Sequence, residues 1–359
     1  MRYVLFGDAQ SPHLLKWARA LAALPALELW VASSRGFDAG FDALVPTPRR
    51  LALDTRPDAA GGNAALLLQL PRLQRWLRQV NAPWLHAHYL TSHGTLAWLA
   101  QTLGRVPGRL VASAWGSDIL LAPQSSVVLR ALTSRVLRAA VLTTSDSQVM
   151  AQRMKVLGAG EVMVFPFGLE AMPPSPLAKD DSLFFSNRGL EPLYAPERVL
   201  AFFAAAAPEN ARLVVANDGS LLKALQAQAL QLGISERVRF VGRLDAADQA
   251  TWYAKARWYL SLPRSDSVAV SVLEAMAHGC VPVLSDLPAN RELVRHRENG
   301  FIVGDGPPPS PQALADLLPR GAAITASNRQ WVEQHALFAP AVSAFVARLR
   351  ALAPETFAA

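Results

Sequence analysis

Short apolar runs alternate with longer amphipathic segments along the chain, a pattern typical of strands and helices that follow one another singly. In the first half, helical patterns lie near residues 12–23, 63–80, 92–102, 124–139 and 147–157. The apolar runs are YVLFG (3–7), LELWVAS (27–33), WLHAHY (84–89), RLVASA (109–114), VLTTS (141–145) and VMVFP (162–166). Strands separated by single helices predict a parallel, doubly wound α/β sheet.

The same alternation restarts after a proline-rich break. Its apolar runs are LFFSNR (183–188), RLVVAND (212–218), VRFVGRL (238–244), WYLSLP (258–263) and VPVLS (281–285). A length of 359 residues is itself typical of two domains. The sequence therefore predicts a first Rossmann-like domain over 1–172, a linker over 173–182 and a second Rossmann-like domain over 183–338.

The most informative stretch is 259–303, which predicts a strand, an acidic loop, a helix and a further strand. The helix is expected from Val268 to His278, ending at Gly279. A helix that begins just after a strand presents backbone amides and a positive dipole end, which suit a phosphate. Asp266 precedes this helix and Glu274 lies within it. Because a carboxylate repels phosphate, Glu274 is better interpreted as an acceptor for sugar hydroxyls.

The spacing Asp266-x7-Glu274, within SDSVAVSVLEAMAHGCVPVLSD and continuing through ANREL and ENGFIV, resembles the signature of the retaining glycosyltransferases of family 4. That family has the GT-B fold, in which two Rossmann-like domains face each other across a cleft. In many GT-B proteins the last helix returns to the first domain, so we expect residues of about 339–359 to do so. One departure is that the first acid is Asp, where the family usually has Glu. The alternative without the resemblance is a helix cap at Asp266 and a solvated Glu274.

The resemblance implies a donor site on the second domain for a nucleotide-diphosphate sugar. Arg188 resembles the family's arginine that clamps the diphosphate, and with Asp266 and Glu274 it forms the expected catalytic set. Relatives usually add a Lys five or six residues later, where this chain has Leu193 and Tyr194. The full set of expected donor-binding residues is Arg188, Asn217, Arg243, Leu244, Asp266, Ser267, Val268, Ala269, Val270 and Glu274. For Arg243, stacking on the base and simple solvent exposure remain equal alternatives.

The acceptor is expected on the first domain, beyond the carboxyl ends of its strands. Trp115 stands where many relatives have a His, and an indole stacks on sugars but exchanges no proton near neutral pH. His13 is equally compatible with a surface position, and capping is the stronger alternative for Asp118. His86 is expected to pack in the core. The expected acceptor-binding residues are Asp8, Ser11, His13, His88, Trp115 and Asp118.

The implied reaction is transfer of a hexosyl unit, with retention, to a glycan, lipid-linked or protein acceptor in cell-surface polysaccharide or glycoconjugate synthesis. No metal and no cofactor beyond the nucleotide sugar are expected. Two alternatives stay open: a GT-B-fold sugar-nucleotide epimerase, and a non-catalytic nucleotide-sugar-binding protein. Donor alone would yield an epimer in the first case, and bound donor would release no nucleotide in the second.

Composition narrows the setting. Hydrophobic residues make up 51% of the chain and the one cysteine is Cys280, which excludes an intramolecular disulfide. No apolar run reaches the roughly 18 residues of a transmembrane helix, so a cytoplasmic enzyme is expected. We expect no nucleic-acid partner.

The net charge of +7 lies wholly in residues 1–175, which hold 17 Lys and Arg against 10 Asp and Glu. Ordinary solvated helices are one interpretation; peripheral docking on an anionic membrane at the inner face of the plasma membrane is the other. The arginines that motivate it lie on two predicted helices: Arg72, Arg75, Arg78, Arg130, Arg135 and Arg138.

Overall fold

The computed structural model describes residues 1–55, 64–175, 178–306 and 309–357. The chain divides into two compact units, one of Met1–Phe165 with Phe338–Ala359 and one of Pro166–Leu337. Each unit is built on a sheet whose paired strands all run parallel. The expected doubly wound α/β architecture is therefore confirmed.

In the described part of the first unit, seven strands pair in the order β3-β2-β1-β4-β5-β6-β7. They are β1 (Arg2–Gly7), β2 (Glu28–Ser33), β3 (Arg50–Ala52), β4 (Trp84–His88), β5 (Arg109–Ser113), β6 (Leu142–Ser145) and β7 (Val162–Val164). The order reverses between β1 and β4, where the carboxyl ends of parallel strands form a binding crevice. The covering helices are α1 (Pro12–Ala22), α2 (Ala64–Leu67), α3 (Leu70–Val80), α4 (Thr95–Gly104), α5 (Ser117–Leu120), α6 (Ala122–Ser125), α7 (Val127–Ala139) and α8 (Gln148–Val156).

In the described part of the second unit, six strands pair in the order β10-β9-β8-β11-β12-β13, with the reversal between β8 and β11. They are β8 (Asp180–Ser186), β9 (Arg212–Ala216), β10 (Val238–Gly242), β11 (Ala256–Ser261), β12 (Val281–Ser285) and β13 (Phe301–Val303). The helices are α9 (Pro196–Ala206), α10 (Leu222–Gln231), α11 (Ala246–Lys255), α12 (Val270–Ala277), α13 (Pro288–Leu293), α14 (Pro311–Ala315) and α15 (Gly321–His335). Apolar residues on both faces of this sheet form its two core clusters, as expected for strands buried on both sides.

The last helix, α16 (Phe338–Leu352), belongs to the first unit. Its residues Phe338 and Phe345 contact the fully buried ring of Trp17 on α1, with ring centroids 5.2 and 5.3 Å apart. Arg348 adds a two-pronged ion pair with Glu161. Helix α16 is thus an integral part of the first unit's core.

Several boundaries differ from those that the sequence predicts, each for a local reason. The segment 63–80 yields α2 and α3 as separate helices because Pro71 occupies the start of the second; residue 63 lies outside the described residues. The segment 124–139 breaks at Ser126, which adopts an extended conformation and caps α7 with its side chain. Strand β3 was missed because three residues carry too little periodicity.

The division between the units also differs from the expected one. Residues 166–172 belong to the second unit, not the first, because Leu169 pairs with Leu337 there. Pro173 and Pro174, assigned to the linker, have carbonyls that accept hydrogen bonds from Arg329 of α15. Residues 176 and 177 of that linker lie outside the described residues.

Among the helices that the structure describes, none is long and apolar enough to cross a membrane.

Candidate active site

Arg188 and Asp266 meet in the second unit where the strand order reverses. Arg188 follows β8 by two residues, and Asp266 lies in the loop after β11, the neighbouring strand. The guanidinium Nη2 lies 2.6 Å from Asp266 Oδ2, and Nη1 donates to Ser271 Oγ at 3.3 Å. The side chains are only 15% and 22% exposed, so the pair is largely shielded from water. Sheet topology thus brings together two residues that lie far apart in sequence.

The Nε–H group of Arg188 differs from the two terminal nitrogens of the same guanidinium. The Nε atom is buried and, within the described residues, has no hydrogen-bond partner. The ring of Tyr194 lies under the guanidinium, with Cζ 4.4 Å from the ring centroid, and orients it. Burial alone would lower the pKa of Arg188, but Asp266 and nearby tyrosines raise it more, so the side chain stays charged.

The pKa of the Asp266 carboxyl group is subject to opposing influences. Burial raises the pKa of its carboxyl group, although Arg188 and the Ser267 amide both act to lower it. The Ser267 amide donates to Asp266 Oδ1 at 3.0 Å. The carboxylate is therefore stabilised chiefly by its position beside the arginine.

Glu274 is connected to this pair through a buried tyrosine. The Tyr253 hydroxyl lies 3.2 Å from both Glu274 Oε2 and the Ser271 carbonyl oxygen. It also accepts a hydrogen bond of 2.8 Å from Nδ2 of Asn187, whose Oδ1 accepts one of 2.7 Å from the Tyr259 hydroxyl. Tyr253, Tyr259 and Asn187 thus form one hydrogen-bonded network, which contacts Glu274 through the Tyr253 hydroxyl.

The helix that carries Glu274 begins later than the sequence predicts. The expected start was Val268, but α12 begins at Val270, and Ala269 before it is extended. Val268 and Ala269 are buried in the core. Their apolar side chains therefore extend the apolar pattern of the helix, although neither residue is part of α12. Since the amides of Val272 and Leu273 donate to Ala269, the first-turn amides that point outward belong to Val270 and Ser271.

The remaining expected donor residues lie on the neighbouring strands. Asn217, after β9, has a positive φ of 82° and reaches the Asn187 carbonyl through Nδ2 at 3.3 Å. Asn tolerates this left-handed backbone better than most residues, which fits the conformation observed at Asn217. Arg243 is exposed and, like Leu244, follows β10, two strands from β8. Arg243 therefore lies apart from the Arg188–Asp266 pair.

A second cluster forms in the first unit, at the carboxyl ends of β1, β4 and β5. The indole Nε1 of Trp115 donates to Nδ1 of His88 at 3.0 Å. The His13 ring lies 4.5 Å from the Trp115 ring, and the Tyr89 ring stacks on it at 5.8 Å. Trp115, His13 and Tyr89 are all partly exposed, so they form an aromatic surface that suits a sugar face.

Two of the expected acceptor residues are too deeply buried to contact an acceptor. His88 is 1% exposed, and burial together with neighbouring imidazoles lowers its pKa, so it is a neutral support for Trp115. Asp118 is 0% exposed; its oxygens accept the amides of Leu90 and Trp115, both at 2.9 Å. Burial raises the pKa of Asp118 to about 6 despite these amides. Both residues position the loop that carries Trp115.

Asp8 and Ser11 contact neighbouring groups of the first unit. Asp8 lies 3.3 Å from Arg35 and accepts the Gln10 amide, while Ser11 caps α1. His86 lies in the core as expected, bonded to the Tyr3 hydroxyl at 2.9 Å and the Ser113 hydroxyl at 2.6 Å. Within the described ranges, no group of three or more His, Cys, Asp or Glu side chains is placed to hold a metal ion.

Sequence reasoning missed Asn187, Tyr253, Ser271 and Tyr89. Asn187 and Ser271 adjoin expected site residues, so proximity along the chain was a usable signal. Tyr253 comes from α11 and reaches Glu274 only through the order of the strands. No local pattern distinguishes it from an ordinary core tyrosine.

Two protein-family models match the chain, one within each unit. The model "Glycosyl transferases group 1" matches residues 169–334, and "Glycosyl transferase 4-like" matches residues 3–147. Together they cover most of the chain, and each falls on one of the two sheets. The chain belongs to the family 4-like glycosyltransferases of GT-B fold.

Curated relatives of this glycosyltransferase match over parts of their length. The D-inositol 3-phosphate glycosyltransferase of Jonesia denitrificans is 26% identical over 44% of this chain and 39% of its own. The alpha-monoglucosyldiacylglycerol synthase of Streptococcus pneumoniae is 34% identical over 26% of this chain and 21% of its own. The phosphatidyl-myo-inositol mannosyltransferase of Mycobacterium leprae is 38% identical over 24% and 22%, respectively. The matches thus span less than half of each relative.

Solved structures resemble the glycosyltransferase over nearly its whole length. Anabaena HepE in complex with UDP-glucose has a TM-score of 0.75 at 17% identity, covering 98% of this chain and 99% of that one. Sucrose-phosphate synthase from Thermosynechococcus elongatus has a TM-score of 0.75 at 16% identity, covering 98% and 100%. At these identities the likeness establishes the fold.

Proposed function

We propose that this glycosyltransferase moves a hexosyl unit from a nucleotide-diphosphate sugar to an acceptor, with retention of the anomeric configuration. The observation that carries the proposal is the charged Arg188 guanidinium beside Asp266, at the carboxyl ends of β8 and β11, where the strand order reverses. A diphosphate bound there would accept charge-assisted hydrogen bonds from the guanidinium, which Tyr194 holds in one orientation.

Tyr194 contacts the Arg188 guanidinium in this site. It stands where relatives usually have a second diphosphate cation, and it holds the Arg188 guanidinium from below. The residue therefore orients the arginine instead of adding charge. Arg188 and the outward amides of Val270 and Ser271 are the groups that we assign to the diphosphate.

The chemistry follows from this assignment. As the bond from the anomeric carbon to the phosphate oxygen breaks, negative charge develops on the diphosphate, and Arg188 stabilises it. An acceptor hydroxyl attacks the same face of the sugar, forms the new bond to the anomeric carbon, and gives its proton to the departing phosphate oxygen. Glu274 binds the ribose hydroxyls, and Asp266 approaches the transferred sugar. The transfer uses the donor and the acceptor, and we propose no further cofactor.

A lipid-linked acceptor is the class that we favour, ahead of a free glycan or a protein. The names of two relatives refer to lipids, a diacylglycerol and a phosphatidylinositol. The aromatic surface of Trp115, His13 and Tyr89 in the first unit would stack on the acceptor sugar. The donor is proposed to be a UDP-sugar because HepE was solved with UDP-glucose.

The first experiment is a thermal-shift screen of UDP-, GDP- and ADP-sugars, since a ligand that binds only the folded state raises its melting temperature. We expect UDP-sugars to give the largest shift. Glu274→Ala should weaken donor binding by roughly 1–3 kcal/mol through loss of a charge-assisted contact. The matched control is Glu333→Ala, an exposed glutamate on α15 of the same unit, which should bind donor as the unchanged protein does.

Product analysis then separates the alternatives. A donor that turns into its epimer without acceptor would identify an epimerase. A donor that binds but releases no nucleotide with any lipid-linked, glycan or protein acceptor would identify a non-catalytic binder. An unaltered donor affinity in folded Glu274→Ala would remove Glu274 from the site.

A further inference from the structure

Helices α7 and α8 of the first unit present an outer face that combines exposed valines with cations. Val127 and Val128, which begin α7, are 85% and 67% exposed, and Val156, which ends α8, is 81% exposed. Val127 and Val156 line one groove together with Arg130 and Arg153. We call this surface the α7–α8 face: Val127, Val128, Val156, Arg130, Arg135, Arg138, Arg153 and Lys155.

The charge of the α7–α8 face is of one sign. All five of its cations are exposed, and within the described residues none lies within 4.0 Å of a carboxylate. From residue 119 to residue 160 the sequence has one acidic residue, Asp146, and its side chain is almost buried. The first unit as a whole holds 19 Lys and Arg against 10 Asp and Glu. A positive surface of this kind attracts anions over the range of a Debye length.

The other basic helix of the same unit is different. On α3, Arg72 lies 3.6 Å from Asp54, and Arg78 donates to the Gly104 carbonyl at 2.9 Å. Arg72 and Arg78 thus contact polar groups of the protein itself, whereas on α7 Arg135 contacts only the Trp98 ring, with Cζ 5.8 Å from its centroid, among the described interactions. The prediction named arginines of α3 and α7; we restrict it to α7 and add Arg153 and Lys155 of α8.

We propose that the α7–α8 face docks the first unit on an anionic lipid bilayer. Cations of the face would meet lipid phosphates, while the valines enter the interface, the arrangement of helices that lie on a membrane surface. A nucleic acid would use the same cations but would leave three exposed valines without a role. The inference rests on the proposed lipid-linked acceptor, whose glycan the enzyme reaches only at a bilayer surface.

The test is flotation of the full chain with vesicles of phosphatidylcholine, with and without phosphatidylglycerol. We expect binding to the anionic vesicles at low salt, loss of binding at high salt, and none to the neutral vesicles. Arg130→Gln/Arg153→Gln/Lys155→Gln should lower the vesicle partition coefficient on the order of 100-fold, at roughly fivefold per cation. Val127→Ser/Val128→Ser/Val156→Ser should lower it while leaving the charge unchanged.

The matched control is Arg72→Gln/Arg75→Gln/Arg78→Gln on α3, which removes the same charge. An equal loss in this control would show that binding follows net charge and would overturn the assignment to the α7–α8 face. So would tight binding to duplex DNA without binding to anionic vesicles. The UDP-sugar thermal shift is measured on the same preparations. If the shift persists without vesicle binding, this inference alone fails; if the shift is absent, the proposed function fails.

Discussion

The Arg188–Asp266 pair makes a sharp prediction because its two partners are shielded and only 2.6 Å apart. Replacing Arg188 by Met removes the cation and leaves the Asp266 carboxylate in surroundings that already raise its pKa. Breaking a buried pair costs roughly 3–5 kcal/mol. The residual exposure of 15% and 22% places the expected loss near the lower end, at about 3 kcal/mol.

The second change tests the cause. Arg188→Met/Asp266→Asn removes both charges, and such a double replacement is often nearly neutral for stability. We therefore expect the double variant to recover most of the loss. A stranded carboxyl group with a raised pKa favours the folded state when protonated, so the deficit of Arg188→Met should shrink as the pH falls from about 8 to about 5. Neither variant should show a donor-induced thermal shift.

Thermal melting provides the assay. In a unit of this size, 1 kcal/mol shifts the melting temperature by roughly 2–4 °C, so Arg188→Met should melt about 6–12 °C lower. Asp286→Asn, which breaks the exposed pair with Arg291 in the same unit, is the control and should shift little. A double variant that melts as low as the single one would refute the reasoning, because the loss would then not come from the uncompensated carboxylate.

Two further predictions concern single residues. Burial raises the pKa of Asp118 to about 6, so this group stabilises the fold fully below its ordinary pKa and loses that contribution as the pH rises through about 6. The urea midpoint of the unchanged protein should therefore fall relative to that of Asp118→Asn between about pH 4 and pH 7. Midpoints of the two proteins that run parallel with pH would contradict the raised pKa. Asn217 has a positive φ, so Asn217→Gly should melt nearly unchanged whereas Asn217→Ala should lose roughly 1 kcal/mol; equal melting of the two would contradict a backbone cause.

The fold was largely predictable because buried parallel strands are continuous apolar runs. VPVLS at 281–285 was located to the residue, since apolar positions and flanking turns coincide there. The start of α12 was misplaced because Val268 and Ala269 are apolar for core packing, not for helix formation. Periodicity cannot distinguish those two causes.

The candidate site was predictable where its residues lie within one short motif, and it was not predictable where only the sheet topology brings its residues together. Asp266 and Glu274 came from one spacing. Tyr253 and Asn187 come from different elements, and their contact depends on β8 and β11 being neighbours. Burial of His88 and Asp118 was equally invisible, since polar residues at strand ends are exposed in most proteins.

The return of α16 to the first unit has a consequence for biosynthesis. Trp17 is made early, but Phe338 and Phe345, which cover it, leave the ribosome after the whole second unit has been translated. The second unit is one uninterrupted segment, and all strands described in its sheet precede α16 in sequence. We therefore expect the first-made part to expose this apolar surface during translation, while the later-made unit is able to fold before it. A nascent chain stalled before residue 338 should keep its first unit sensitive to protease while its second unit is already resistant.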